Sequence, residues 1–180
     1  VLSIALGADL DSTELSLIGG WETWTLGTDA VYSLTLDNSN STDSGTLAIN
    51  AYAVKTAGNL TINASAESTT NISLTIDASV IANNVSHTLT GGGGSSDALA
   101  INALGATTLS ANDTANIGGW ETWTLGSAQT YDMTLSTANA GTGTLTIDGT
   151  ASSGLTVDGV AETDAAASLI ISGGAGIDSL

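Results

Sequence analysis

The residues best suited to chemistry are glycines and aspartates set together in two short runs. Gly173 to Leu180 reads Gly-Gly-Ala-Gly-Ile-Asp-Ser-Leu, and Gly92 to Leu99 reads Gly-Gly-Gly-Ser-Ser-Asp-Ala-Leu. Glycine accepts backbone conformations that turn successive carbonyls toward one point. The aspartate adds a carboxylate, and a hard cation such as Ca²⁺ wants several oxygens of this kind. The candidate metal ligands are therefore Gly173, Gly174, Gly176 and Asp178 in one run, and Gly92, Gly93, Gly94 and Asp97 in the other.

The second candidate set is aromatic. Trp21 and Trp24, repeated as Trp120 and Trp123, are all the tryptophan in a chain without Phe. Exposed Trp suits a sugar platform or an assembly contact. Strand positions three apart face opposite sides. One Trp of each pair is thus expected inside, the other covering a face or meeting the next coil. Glu22 and Glu121, between the Trps, read as solvated carboxylates, with an edge role or a cation ligand as the alternative. His87 is the only His and reads as an ordinary strand residue, since alone it builds neither a zinc site nor a triad. Lys55 reads as a solvated side chain or a carboxylate partner, and Met133, standing where the first unit has Leu34, as core.

No enzyme is expected. There is no Cys, one His and one Lys, so a tuned base or nucleophile is scarce. Paired carboxylates hydrolyse glycosides, but short Thr-rich strands offer no obvious cleft. The charge balance excludes more. Eighteen acidic residues against a single basic one give a formal charge of −17. Such a chain has almost nothing to meet nucleic-acid phosphates or an anionic membrane. No apolar run approaches the roughly 20 residues of a membrane span. With no Cys there is no disulfide framework. The opening Val-Leu-Ser-Ile-Ala-Leu has no initiator Met and no basic start, and reads as a mature product or an excised piece. Asn-x-Ser/Thr sequons stand at Asn40, Asn59, Asn63, Asn71, Asn84 and Asn112, about twice what a Ser- and Thr-rich chain produces by chance.

Behind these residues lies a repeat. Ile18 to Gly27 and Ile117 to Gly126 are identical, Ile-Gly-Gly-Trp-Glu-Thr-Trp-Thr-Leu-Gly. They divide the chain into two units, 1–99 and a shorter copy, 100–180, which lacks one strand-plus-turn segment near its end. A finer rhythm runs inside: Leu34-Thr-Leu-Asp, Leu47-Ala-Ile-Asn, Leu60-Thr-Ile-Asn and Leu74-Thr-Ile-Asp. Each alternates apolar with small polar residues and ends on a turn former, the mark of a short half-buried strand. No amphipathic helix stands out; Ala161 to Ala167 is the best stretch and it is short. The chain is expected to be all-β, a right-handed parallel β-solenoid with glycine-aspartate turns. The alternative is two tandem antiparallel β-sandwich domains. The missing segment bears on both, because removing one strand reverses or shifts every later strand.

The glycine-aspartate runs resemble the RTX group of calcium-binding bacterial repeat proteins. Gly173 to Leu180 fits the Gly-Gly-x-Gly-x-Asp-x-apolar pattern throughout, while Ser95 stands in the first run where the group has its third Gly. The strands Gly58 to Ser65 and Ser73 to Ser79 look like those of its surface-layer and adhesin-like members. The resemblance implies secretion by a type I system, an extracellular or cell-surface location, Ca²⁺-dependent folding and a structural role. It also implies that Ca²⁺ sits between two stacked turns, so that one run supplies half a site and the second half comes from another turn, with Asp148-Gly149, Asp158-Gly159 and Asp37-Asn38 as candidates, or from a neighbouring unit. The expected function is a structural repeat segment that self-assembles into an S-layer or filament. The alternative is an extender or ligand-binding module of an adhesin, with sugar (a cell-surface glycan) or ice as ligand. The expected partner is the protein itself, with no nucleic acid and no membrane insertion.

Overall fold

The structure is a computed structural model. It describes residues 1–4, 8–10, 12–28, 30–40, 45–55, 59–82, 86–140, 143–161 and 168–179. Among them are sixteen strands, numbered in chain order. Eight form one sheet: β1 (Leu2–Ile4), β3 (Thr23–Leu26), β5 (Thr46–Ala51), β7 (Asn71–Asp77), β9 (Ala98–Asn102), β12 (Thr122–Leu125), β14 (Thr144–Asp148) and β16 (Ser168–Ser172). Five form a second: β11 (Ile117–Gly118), β8 (Thr88–Thr90), β6 (Leu60–Ala66), β4 (Tyr32–Asp37) and β2 (Ala8–Leu10). Three form a third: β10 (Thr107–Leu109), β13 (Thr130–Thr134) and β15 (Gly154–Asp158).

Every pairing between these strands is parallel. The chain passes from the eight-stranded sheet to the opposite face and back, so it winds as a β-solenoid. The tandem antiparallel sandwich is thereby ruled out, since hairpins would pair strands adjacent in sequence. No helix of the described residues is long and apolar enough to cross a membrane.

The alternation read in the sequence becomes stacking in the fold. In β4 the pattern buries Tyr32, Leu34 and Leu36 and leaves Ser33, Thr35 and Asp37 half-buried. The parallel register then sets like on like. Leu2, Trp24, Ile49, Leu74, Leu99, Trp123, Ile147 and Ile171 form one continuous apolar ladder through the eight-stranded sheet. Opposite it run Leu10, Leu34, Ile62, Leu89 and Ile117. Each fully buried Leu or Ile is worth about 1.5–3 kcal/mol relative to exposure, and each rung covers the next.

Two short helices were not evident from the sequence, α1 (Ser12–Leu15) and α2 (Ala111–Thr114). They are too short to show an amphipathic period. The α2 start is fixed locally instead: the Ser110 N–H and hydroxyl both donate to the Asp113 carboxylate, at 2.8 and 2.6 Å. The α2 turn splits one face of the coil. β10, before it, pairs forward with β13, and β11, after it, pairs back with β8. The stretch 162–167, where the sequence suggested a weak helix, lies outside the described residues.

The shorter second unit changes the parity of the winding. The first glycine run leads from β8, on the second face, to β9 in the eight-stranded sheet. The second leads from β16, in that sheet, to Ser179, which bridges to Thr156 of β15 on the other face. Losing one strand therefore sends the chain to the opposite face. The two similar runs turn at different corners.

Candidate cation-binding turns

The first run packs on the turn one coil earlier, Glu67 to Thr70. The Gly93 N–H donates to the Glu67 carbonyl at 2.6 Å. A Cβ on Gly92 would stand 2.8 Å from that carbonyl oxygen and 3.1 Å from Asp97 Oδ2, and one on Gly94 would stand 2.9 Å from Asn71 Oδ1. Glycine is needed at both places because another turn's oxygens occupy the room of a side chain.

Two buried carboxylates meet there. Glu67 is wholly buried, and its Oε1 accepts from the N–H of Thr69 at 2.6 Å, the N–H of Thr70 at 2.8 Å and the Thr69 hydroxyl at 2.9 Å. Asp97 is also wholly buried, and its Oδ1 accepts the Ile72 N–H at 2.6 Å. One oxygen of each is thus committed to its own turn. The others, Glu67 Oε2 and Asp97 Oδ2, are buried with no hydrogen-bond partner among the described residues, as is the hydroxyl of Thr70. Leaving such a group buried and unsatisfied costs about 1–3 kcal/mol, more if charged. Burial pushes the Asp97 carboxyl up; the Ile72 hydrogen bond and the nearby Gly92 backbone partly offset this, and the Glu67 charge adds to the rise.

Glu121 joins from the next coil. Its Oε2 accepts the Asp97 N–H at 2.7 Å, and its pKa is raised by burial, with the Asp97 charge a lesser cause. The reading of Glu121 as a solvated carboxylate is corrected by this contact. The parallel register stacks it on Asp97, where the next unit begins.

The second run is built alike but carries less charge. Asp178 Oδ1 accepts the Leu155 N–H at 2.9 Å, as Asp97 accepts from Ile72. Gly174 and Gly176 lie against the carbonyls of Ser152 and Ser153. The turn beneath it is therefore 149–154. Of the second-half candidates, Gly149 stands under Gly174, but the Asp148 carboxylate is turned to Thr150 and that of Asp158 to Val160. Asn38 sits one layer below the Glu67–Thr70 turn, and so two below the first run, its Oδ1 accepting the Ser68 N–H at 2.7 Å. Glu67 and Thr70 were missed by sequence reasoning. The signal was present: two strand periods of about thirteen residues, one coil, separate Gly92 from the Glu67 turn.

The donor set of the first run is all oxygen, with one oxygen of each of two carboxylates and a hydroxyl unpaired among the described residues. That is the ligand chemistry of a hard cation, which takes 6–8 oxygens including carbonyls and water. Among the described residues no group of three or more His, Cys, Asp or Glu is placed to hold a metal ion, so carbonyls, the hydroxyl and water would have to complete any shell.

The tryptophans divide. Trp24 and Trp123 are fully buried in the ladder and have no surface to offer a sugar or a partner. Trp120 is 2% exposed, its Nε1 donating to the Leu89 carbonyl of the preceding coil at 3.0 Å. Trp21 remains 44% exposed. His87 is buried, with Nε2 2.8 Å from the Asp113 carbonyl, and Met133 is in the core. Lys55 pairs with Asp77 at 2.6 Å and lies over the Tyr52 ring. Asn40 is buried, donating to the Leu15 carbonyl and accepting the Asp37 N–H, so its sequon is taken up by the fold.

Comparison with known proteins finds no match among protein-family models, curated sequences or solved structures.

Proposed function

We propose that this chain is a structural segment of a secreted bacterial surface protein, stabilised by Ca²⁺ and assembling with itself into an S-layer or filament. The observation that carries the reading is the buried pair Glu67 Oε2 and Asp97 Oδ2, with Thr70 Oγ1, left without partners between two stacked turns. A divalent cation would satisfy all three and neutralise the two carboxylates. Glu67, Thr70 and Asp97 would hold it, and the glycines admit it by keeping side chains away. What the ion supplies is cohesion between successive coils of a chain at −17. The Gly173–Asp178 turn, with one exposed carboxylate, would hold a cation more weakly.

The test is a Ca²⁺ titration of the metal-stripped chain, followed by far-ultraviolet circular dichroism and by electron microscopy. Ca²⁺-dependent gain of β signal with ordered sheets or filaments, reversed by EGTA, is the expected result. A chain folded and monomeric with and without Ca²⁺ overturns the reading.

A second reading, an adhesin extender that binds a sugar or ice, draws support from the outer surface of the eight-stranded sheet. Thr25, Asn50, Thr75, Ala100 and Thr124 stand in one row along it, small and uncharged. A glycan array and an ice-affinity assay on the monomer separate it from the first.

A further inference from the structure

A coil of the first unit docks on the second unit inside this chain, and the same seat recurs, exposed, near the start. We propose that Ile18–Glu22 is a docking surface for a coil of another repeat unit of this sequence type, one carrying a segment like Thr88–Asp97. The proposal rests on the scaffold reading only for where such units come from.

The internal junction shows what the seat takes. The Leu89 N–H donates to the Asn116 carbonyl and the Gly91 N–H to the Gly118 carbonyl, both at 2.9 Å. Trp120 Nε1 closes onto the Leu89 carbonyl, and Glu121 Oε2 takes the Asp97 N–H. Gly91 is required, since a Cβ there would run into the Gly119 carbonyl.

The first copy has the same residues and the same left-handed glycine, although Ile18 closes a short 3-10 turn (Ser16–Ile18) where Ile117 lies in β11. Gly20 has φ +79°, Gly119 +73°. Among the described residues nothing lies on it, however. A Cβ on Gly119 would meet the Gly91 carbonyl at 3.2 Å, whereas one on Gly20 would meet nothing within 4 Å. Trp21 is 44% exposed against 2% for Trp120, and Leu17 beside it is 87% exposed. These are a large apolar face, an indole donor and a carboxylate acceptor, with backbone carbonyls at 17 and 19 in the places of the Asn116 and Gly118 acceptors. The register already leads there. Leu2 pairs with Trp24 as Leu99 pairs with Trp123. Continued by one residue, it sets Val1 in the place of Ala98 and an incoming Asp97-like residue beside Glu22.

The experiment joins a copy of residues 60–97 ahead of Val1 of the full chain and reads acrylamide quenching of Trp fluorescence. Trp24, Trp120 and Trp123 are buried, so Trp21 dominates the signal. The expected result is loss of that quenching and a blue shift, both abolished by Gly→Ala at the copied Gly91. A Trp21 as quenchable as in the parent, or an appended segment that stays protease-sensitive, overturns the proposal. Ca²⁺-driven sheets with Trp21 still quenchable sink this surface and spare the scaffold. A protected Trp21 with no assembly under Ca²⁺ does the reverse.

Discussion

Asp97 has one oxygen on the Ile72 N–H and the other buried beside a second carboxylate with no partner. Without a cation its charge is a cost. The variant Asp97→Asn is therefore expected to raise the melting temperature of the chelated chain at neutral pH, by about 1 kcal/mol of stability. It should also remove most of the stabilisation that Ca²⁺ confers on the parent. Glu67→Gln keeps Oε1 for the Thr69 and Thr70 N–H groups and is expected to lose the Ca²⁺ effect in the same melts. The pH dependence has the same origin. Asp97 and Glu121 have raised pKa values, so the folded chain binds their protons more tightly than the unfolded one. Their contribution is fully present below the ordinary values of 3.8 and 4.5 and is lost as pH rises through the raised ones. Asp77, held low by Lys55 and Ser79 against its burial, contributes in the opposite direction, above 3.8. The difference between parent and Asp97→Asn melts across pH 3–7 thus isolates Asp97: the parent should fall relative to the variant as pH rises. With Ca²⁺ present the trend reverses, because binding needs the carboxylates deprotonated.

Strands here have little stability apart from their neighbours. Leu74 sits mid-ladder between Ile49 and Leu99, fully buried. Leu74→Ala is expected to cost about 2–5 kcal/mol in denaturant unfolding. Ile170, in an outer strand of the same sheet and 51% exposed, should tolerate Ala within about 0.5 kcal/mol. The turns obey a different rule. Gly94→Ala would bring a Cβ to 2.9 Å from Asn71 Oδ1 and 3.3 Å from Asp97 Oδ1. It is expected to cost about 1–3 kcal/mol and to weaken Ca²⁺ binding, whereas Gly93→Ala, with its nearest atom at 3.6 Å, should do neither.

At the scale of the whole molecule the charge is the governing quantity. Self-repulsion at −17 is relieved by any salt through screening, and by a bound cation at a site. The two are separable by matching ionic strength. NaCl should raise the melting temperature gradually, and CaCl₂ at the same ionic strength should raise it further and saturate. Equal curves for the two salts would mean screening alone.

Much of the architecture was legible because it depends on short-range order. The period-2 alternation of Leu34-Thr-Leu-Asp and its fellows names a half-buried strand without reference to anything distant, and equal strands at nearly equal spacing stack. The inward Trp came from the same alternation, and the place of Met133 from its standing where the first unit has Leu34. The pairing of positions far apart was not legible, because it depends on the summed lengths of every turn between them. One strand more or fewer decides whether a glycine run turns onto one face or the other, and so placed the two similar runs at different corners. The same sum placed Glu67 and Thr70 under Gly92–Asp97, turning one half-shell into a site with two buried carboxylates. It also covered Trp120 with a coil and left the identical Trp21 bare. Local alternation made the strands and their inward faces; only the tertiary winding decided which oxygens meet and which edge is open.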